Sequence, residues 1–156
     1  MEYTNKNIYI EKMIEKYSNM VFRLAMARTK SKEYSEDVFQ EVFLRLYKKM
    51  PEFKSEEHEK AWLIKVTINC SKSLLESKFI KNTEPLNEEL QFETKERQEV
   101  YYEVLKLPIK YRTIIHLYYY EGYKINEISK ILKMNENTVK SRTFKSKRKI
   151  KIRDYK

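Results

Sequence analysis

Apolar side chains return every three or four residues along most of the chain, the period of a helix with one buried face. Ile10, Met13, Ile14, Tyr17, Val21, Leu24 and Ala25 carry that period through a first predicted helix, from about Lys6 to Thr29. A second stripe holds Val38, Phe39, Val42, Phe43, Leu46 and Tyr47. It starts behind Ser35, a predicted N-cap followed by Glu36 and Asp37, whose charge suits the positive helix end, and it closes at Pro51. Ser55 with Glu56 and Glu57 repeats the start signal, and a third helix follows to about Ser77, richly apolar from Ala61 to Cys70. Apolar positions then thin out. Pro85 breaks any helix, and Glu84 to Glu103 holds seven Glu against Lys95 and Arg97. Residues 77–96 therefore read as an acidic, flexible linker between two small helical domains, 1–76 and 97–156, with a loop packed inside one domain as the alternative.

In the second domain Val100, Tyr101, Val104, Leu105 and Leu107 form a stripe stopped by Pro108, and Tyr111, Ile114, Ile115 and Tyr118 form another. Gly122, which enters a left-handed cap freely, ends that helix. A short helix over Asn126–Leu132, a three-residue joint Lys133-Met134-Asn135, and a longer helix from Glu136 to Ile150 capped by Asn135 make a helix-turn-helix pattern. The second helix of such a motif fits the major groove of duplex DNA. Val139, Ser146 and Ile150 share one inward face, while Lys140, Ser141, Phe144 and Lys145 point elsewhere and can meet phosphates or base edges. An ordinary αα-hairpin with a basic surface is the competing reading.

Composition narrows the class. Among 156 residues there are one Gly, three Pro and one Cys, so turns needing positive φ should be scarce and a Gly-rich β-sandwich or barrel is excluded. The expectation is an all-α fold of two small helical domains joined by a linker. The longest apolar run is four residues, such as Ala61–Ile64, against the about 20 that a membrane span needs. Residues 1–16 lack the apolar core of a signal peptide, and no C-terminal sensor is expected beyond Lys156. Cys70 cannot staple a secreted fold or build a metal site, and it reads as a small core residue. A hydrophobic share of 41% is too high for a disordered chain, which leaves a cytoplasmic helical protein without cofactor or metal.

The net charge of +10 is unevenly spread: residues 1–108 hold 19 basic and 19 acidic side chains, whereas 109–156 hold 14 and 4. Eight basic residues and no acid lie between Thr138 and Arg153. Such a stripe fits a polyanion, with nucleic acid favoured over a membrane surface and a solvated Lys-rich tail as the bland alternative.

Several of these residues resemble one family. Leu107-Pro108, Tyr111–Ile115, Tyr120-Glu121-Gly122, Glu127-Ile128, Ile131-Leu132 and Thr138–Arg142 are similar to region four of bacterial RNA polymerase sigma factors. Glu36–Leu46 resembles their region two, and Ala61–Ile64 with Asn69 resembles its later part. The size resembles the extracytoplasmic-function group. The resemblance implies a transcription initiation factor whose partners are core RNA polymerase, promoter DNA and an anti-sigma factor, with no small-molecule substrate and no membrane insertion. Asp37, Gln40, Glu41 and Leu44 would dock on the polymerase. Asn69 would receive a base flipped from the melted minus-ten element, with Lys65 and Lys72 following the phosphates. Asn137, Thr138, Lys140, Ser141, Arg142, Phe144 and Lys145 would hold the minus-thirty-five duplex, Arg142 bracing phosphate or helix packing. Trp62 is expected in the core.

The chain departs from the family pattern at four places. Lys133 stands where Gly is frequent at the turn, Lys124 where Ser caps, Asn137 where Gly is frequent, and Thr143 where Leu is usual. A left-handed Lys133 would cost about 1 kcal/mol, and Thr143 implies looser packing behind the recognition helix. A stand-alone helix-turn-helix regulator is the main rival, although it leaves residues 15–77 without a purpose. An RNA-binding or membrane-surface bundle lacks an apolar-faced anchor. An enzyme is disfavoured because His58 and His116 have no evident partners and no phosphate loop or zinc pattern is present.

Overall fold

A computed structural model describes residues 2–78 and 94–150. The chain divides into two units, Met1–Thr83 and Glu84–Lys156, and every described element in both is a helix. Residues 79–93, the greater part of the expected linker, lie outside the described residues.

The first unit has three long helices, α1 (Glu2–Thr29), α2 (Lys32–Lys49) and α3 (Glu56–Lys78), each packed on the other two. Val21 and Leu24 of α1, Val38, Val42 and Leu46 of α2, and Leu63 and Ile64 of α3 are shut from solvent and form its centre. Apolar burial on this scale is the main stabilising term, at about 1.5–3 kcal/mol for each fully buried Val, Leu or Ile. Ser55 caps α3 as its pattern predicts, its Oγ accepting from His58 N at 3.0 Å.

The N-cap of α2 differs from expectation. The helix begins four residues earlier, with Ser31 Oγ accepting from Tyr34 N at 3.2 Å. Ser35 is instead fully buried, its Oγ 2.8 Å from Thr29 Oγ1. A small side chain whose hydroxyl finds a local partner suits a site where α1 and α2 meet. Nearby, buried Arg28 donates from Nε to Ser71 Oγ at 2.5 Å, tying the end of α1 to α3.

The second unit is built from shorter pieces: α4 (Lys95–Leu105), α5 (Ile109–Tyr119), α6 (Ile125–Leu132) and α7 (Glu136–Ile150). Helix α5 packs against the other three. Val104, Leu107, Ile115 and Ile150 make one buried cluster, edged by Val100, Tyr111 and Tyr119. Thr94 caps α4, accepting from Arg97 N at 3.1 Å, so the helix starts inside the expected linker. Gly122 has φ +71 as anticipated, but it lies two residues beyond Tyr120, the C-cap of α5. Tyr123 N then reaches back to Leu117 O at 3.0 Å.

Positive-φ residues are few among the described residues, as expected, and they fall at or just past helix ends. Among the described residues Lys30 (φ 58), Met50 (φ 42) and Lys133 (φ 54) are left-handed without being Gly. Lys30 N and Met50 N donate to Met26 O and Leu46 O, both at 2.9 Å, each satisfying a terminal carbonyl. Scarcity of Gly did not remove the left-handed caps; it placed them on residues that adopt that conformation at a cost of about 1 kcal/mol or more.

Candidate nucleic-acid interface

Helix α7 occupies the residues its pattern predicts. Asn135 caps it, Oδ1 accepting from Asn137 N at 2.8 Å. The joint before it closes α6 in a Schellman arrangement: Met134 N donates to Ser129 O at 3.0 Å, and Ser129 Oγ donates to Met134 O. Lys133 is the left-handed residue of that turn, so the anticipated strain is present. Lys124 starts α6 without a side-chain acceptor, yet its backbone N–H is held by Glu127 Oε1 at 2.9 Å, half of a capping box.

Val139, Ser146 and Ile150 are buried as expected, and Thr143 joins them at 2% exposure. The threonine hydroxyl donates to Val139 O at 2.8 Å within α7, so the buried oxygen has a partner. The opposite face is open. Asn137, Lys140, Ser141 and Lys145 are exposed, Thr138 is half-buried, and Phe144 is 63% exposed, the most exposed large apolar residue described. Arg142 is half-buried, its Nη1 3.9 Å from Met134 Sδ, so it braces the turn.

On α3, Lys65, Asn69 and Lys72 fall at offsets of zero, four and seven and share one side of the helix. Asn69 and Lys72 are exposed and Lys65 is half-buried. Trp62 belongs to this side too. It is half-buried and meets Phe53 edge-on at 5.8 Å, which corrects its expected place in the core. Phe53 also meets exposed His58 at 5.3 Å, and His58 Nδ1 accepts from Lys54 N at 3.2 Å. Cys70 is buried, and burial pushes its thiol up.

On α2, Asp37, Gln40, Glu41 and Leu44 form an exposed stripe, Leu44 at 45%. Arg45 pairs with Glu41 at 3.2 Å. Gln40 also lines a shallow groove of about 410 Å³ with Ser18, Asn19, Phe22, Glu36 and Phe39. Asn19 and Phe22 of α1 were not among the residues singled out in the sequence. Their signal was present, because Ser18, Asn19 and Phe22 recur on the outward side of α1, but nothing in the pattern says which neighbour that side adjoins.

Residues 13–78 match the family described as Sigma-70 region 2, and residues 97–150 match Sigma-70, region 4. The chain belongs to the extracytoplasmic-function sigma factors. It is 29% identical over 159 residues to the ECF RNA polymerase sigma factor SigM of Bacillus subtilis, covering 91% of this chain and 93% of that protein. The RNA polymerase sigma factor SigV of the same organism is 28% identical over 138 residues, 84% of this chain and 82% of that one. Among solved structures, the sigma factor RpoE of Bartonella quintana, crystallised with the anti-sigma factor NepR, matches in fold with a TM-score of 0.76 at 17% identity. That match covers 90% of this chain and 93% of that one.

As a sigma factor the chain directs RNA polymerase to promoters. Among the described residues no group of three or more His, Cys, Asp or Glu could hold a metal, and no helix is long and apolar enough to cross a membrane. His116 and Glu121, for which the sequence suggested no pairing, are both buried with Nε2 and Oε1 3.8 Å apart, and His116 stacks on Tyr120. Arg112, also buried, donates from Nη1 to Leu107 O at 2.8 Å, and burial pushes its guanidinium down to about 10. It stays charged at neutral pH and ties α5 to the end of the preceding segment.

Proposed function

We propose that this sigma factor works as a dissociable, cytoplasmic clamp between core RNA polymerase and promoter DNA, the first unit carrying the polymerase and minus-ten surfaces and the second the minus-thirty-five surface. Asp37, Gln40, Glu41 and Leu44 dock on the polymerase. Lys65, Asn69 and Lys72 take the melted minus-ten strand, with the Asn69 amide offering donors and acceptors to an unstacked base and the lysines tracking phosphates. Asn137, Thr138, Lys140, Ser141, Phe144 and Lys145 face the minus-thirty-five duplex, while Arg142 secures the turn and reaches the adjacent phosphate. Acids of the 77–96 segment keep nucleic acid out of the polymerase cleft until the transcript displaces them. An anti-sigma protein, of the kind bound to the Bartonella sigma factor, sequesters the free chain.

The observation that carries this reading is the division of α7 into a buried face of Val139, Thr143, Ser146 and Ile150 and an open face of cations around Phe144. Phosphate contacts alone give about 10⁻⁴–10⁻⁶ M at physiological salt, so the isolated chain should bind duplex weakly. Specificity then comes from the polymerase holding both units on one promoter, which raises the effective concentration of the second contact. The test is run-off transcription from genomic fragments with bacterial core polymerase, with and without the protein. Transcripts that need the protein, and vanish with Asp37→Ala plus Gln40→Ala, are expected. Tight duplex binding by the protein alone, with no core-dependent transcripts, would overturn the proposal in favour of a stand-alone regulator.

A further inference from the structure

We infer that the basic stripe of α7 is divided by function: Arg148 extends the duplex-contacting face by one turn, whereas Lys147 and Lys149 clamp α7 onto α5 and contact no phosphate. This rests on α7 being the duplex-reading helix and names which of its cations do the reading.

Three observations carry it. At about 100° per residue, Lys140, Ser141, Phe144, Lys145 and Arg148 fall within one arc of roughly 140°, opposite buried Val139, Thr143, Ser146 and Ile150. Arg148 is exposed, and among the described residues no hydrogen bond or ion pair holds it. Its neighbours are engaged differently. Lys147 Nζ sits 4.7 Å from the Tyr118 ring centre and 3.5 Å from its hydroxyl oxygen, with the Tyr119 ring at 6.0 Å. Lys149 Nζ sits 5.0 Å from the centre of the Tyr111 ring. All three tyrosines belong to α5, and they receive lysines from both flanks of α7.

An ammonium over an aromatic face is attracted by the ring's negative quadrupole, and the lysine stem covers apolar surface as it reaches the ring. Moving either lysine to a phosphate would uncover that surface. Arg148 forfeits nothing described here by doing so. A guanidinium also suits a phosphate better than an ammonium, because its planar fork can donate two hydrogen bonds.

The salt dependence of binding separates the two roles, since each phosphate neutralised on B-DNA contributes about 0.9 to the slope of log K against log salt. The full chain would be titrated against a fluorescein-labelled mixed-sequence duplex over a range of salt concentrations. Arg148→Ala is expected to lower the slope magnitude by about 0.9, and Arg148→Lys to restore it. Lys147→Met and Lys149→Met should leave the slope unchanged while lowering the thermal midpoint followed by helical circular dichroism. An unchanged slope for Arg148→Ala, or a loss of the same size for either lysine variant, overturns the inference. Arg148 is exposed, so its variants fold and the test stands even if a lysine variant does not. Failure of polymerase-dependent initiation would sink the sigma-factor mechanism without altering these slopes.

Discussion

The two units are both helical, but they are stabilised differently. The first has helices of 28, 18 and 23 residues with large apolar side chains at their centre. The second has helices of 11, 11, 8 and 15 residues, and from residue 109 onward it carries 14 basic side chains against 4 acidic. Helices shorter than about 12–15 residues are marginal alone, so the second unit depends on caps, a Schellman turn and α5 as a shared centre. Both interiors mix apolar and polar groups: Arg28 and Ser71 lie among the Val, Leu and Ile of the first, Arg112 and His116 beside Ile114, Ile115 and Leu117 in the second.

The largest test of this contrast is truncation at the two centres. Leu24→Ala and Ile115→Ala each remove a side chain shut from solvent and should cost about 2–5 kcal/mol in urea unfolding. The second unit should tolerate its loss less well, because small domains have thin margins. If Ile115→Ala keeps duplex binding at 37 °C while Leu24→Ala loses helicity, the ranking of the units is wrong. Next in size is the bond from Arg28 to Ser71. Ser71→Ala deprives a buried guanidinium of one partner and should cost about 1–3 kcal/mol, with polymerase-dependent open-complex formation as a second readout.

Relief of backbone strain should act in the opposite direction. Lys133→Gly should stabilise the second unit by about 1 kcal/mol, read as a raised urea midpoint with an unchanged slope. A lower midpoint would mean that the lysine stem contributes packing that outweighs its φ. The smallest effect is alkaline. Burial pushes Tyr120 up to about 12 from an ordinary 10.0, and burial raises Tyr101 as well. Their contribution is complete below pH 10 and is lost as pH rises toward 12, because the unfolded chain releases protons that the folded chain keeps. Stability of the second unit should therefore fall across that window, and Tyr101→Phe with Tyr120→Phe should flatten the fall.

Much of this was legible from the residues. The bounds of α7, the Asn135 and Ser55 caps, and the inward placing of Val139, Ser146 and Ile150 follow from period and capping chemistry, which are local. Ser35 misled because Ser followed by two acids signals a helix start at short range, while the true cap, Ser31, precedes the weakly patterned Lys32-Glu33-Tyr34. Trp62 misled because size and apolarity suggest burial, yet its position on α3 put it on the side that Asn69 shares. Lys133 was flagged by its place in the turn, but Lys30 and Met50 were not, because Gly abundance concerns preference while helix ends impose the conformation on whichever residue stands there.

Period and composition alone determined an all-helical chain, its two clusters and the concentration of cations near the C-terminus, because helix formation and charge are properties of neighbouring residues. Family motifs added the order of the two sigma regions. Tertiary structure decided which cations are free. Lys147, Arg148 and Lys149 are adjacent and chemically alike, and one-dimensional spacing treats them as one stripe. Only the packing of α7 against α5 sets tyrosine rings beside Lys147 and Lys149 and not beside Arg148. The same holds for the groove beside Gln40, whose lining comes from α1 as well as α2. Contacts between elements distant in sequence depend on how helices cross, and no local pattern records that angle.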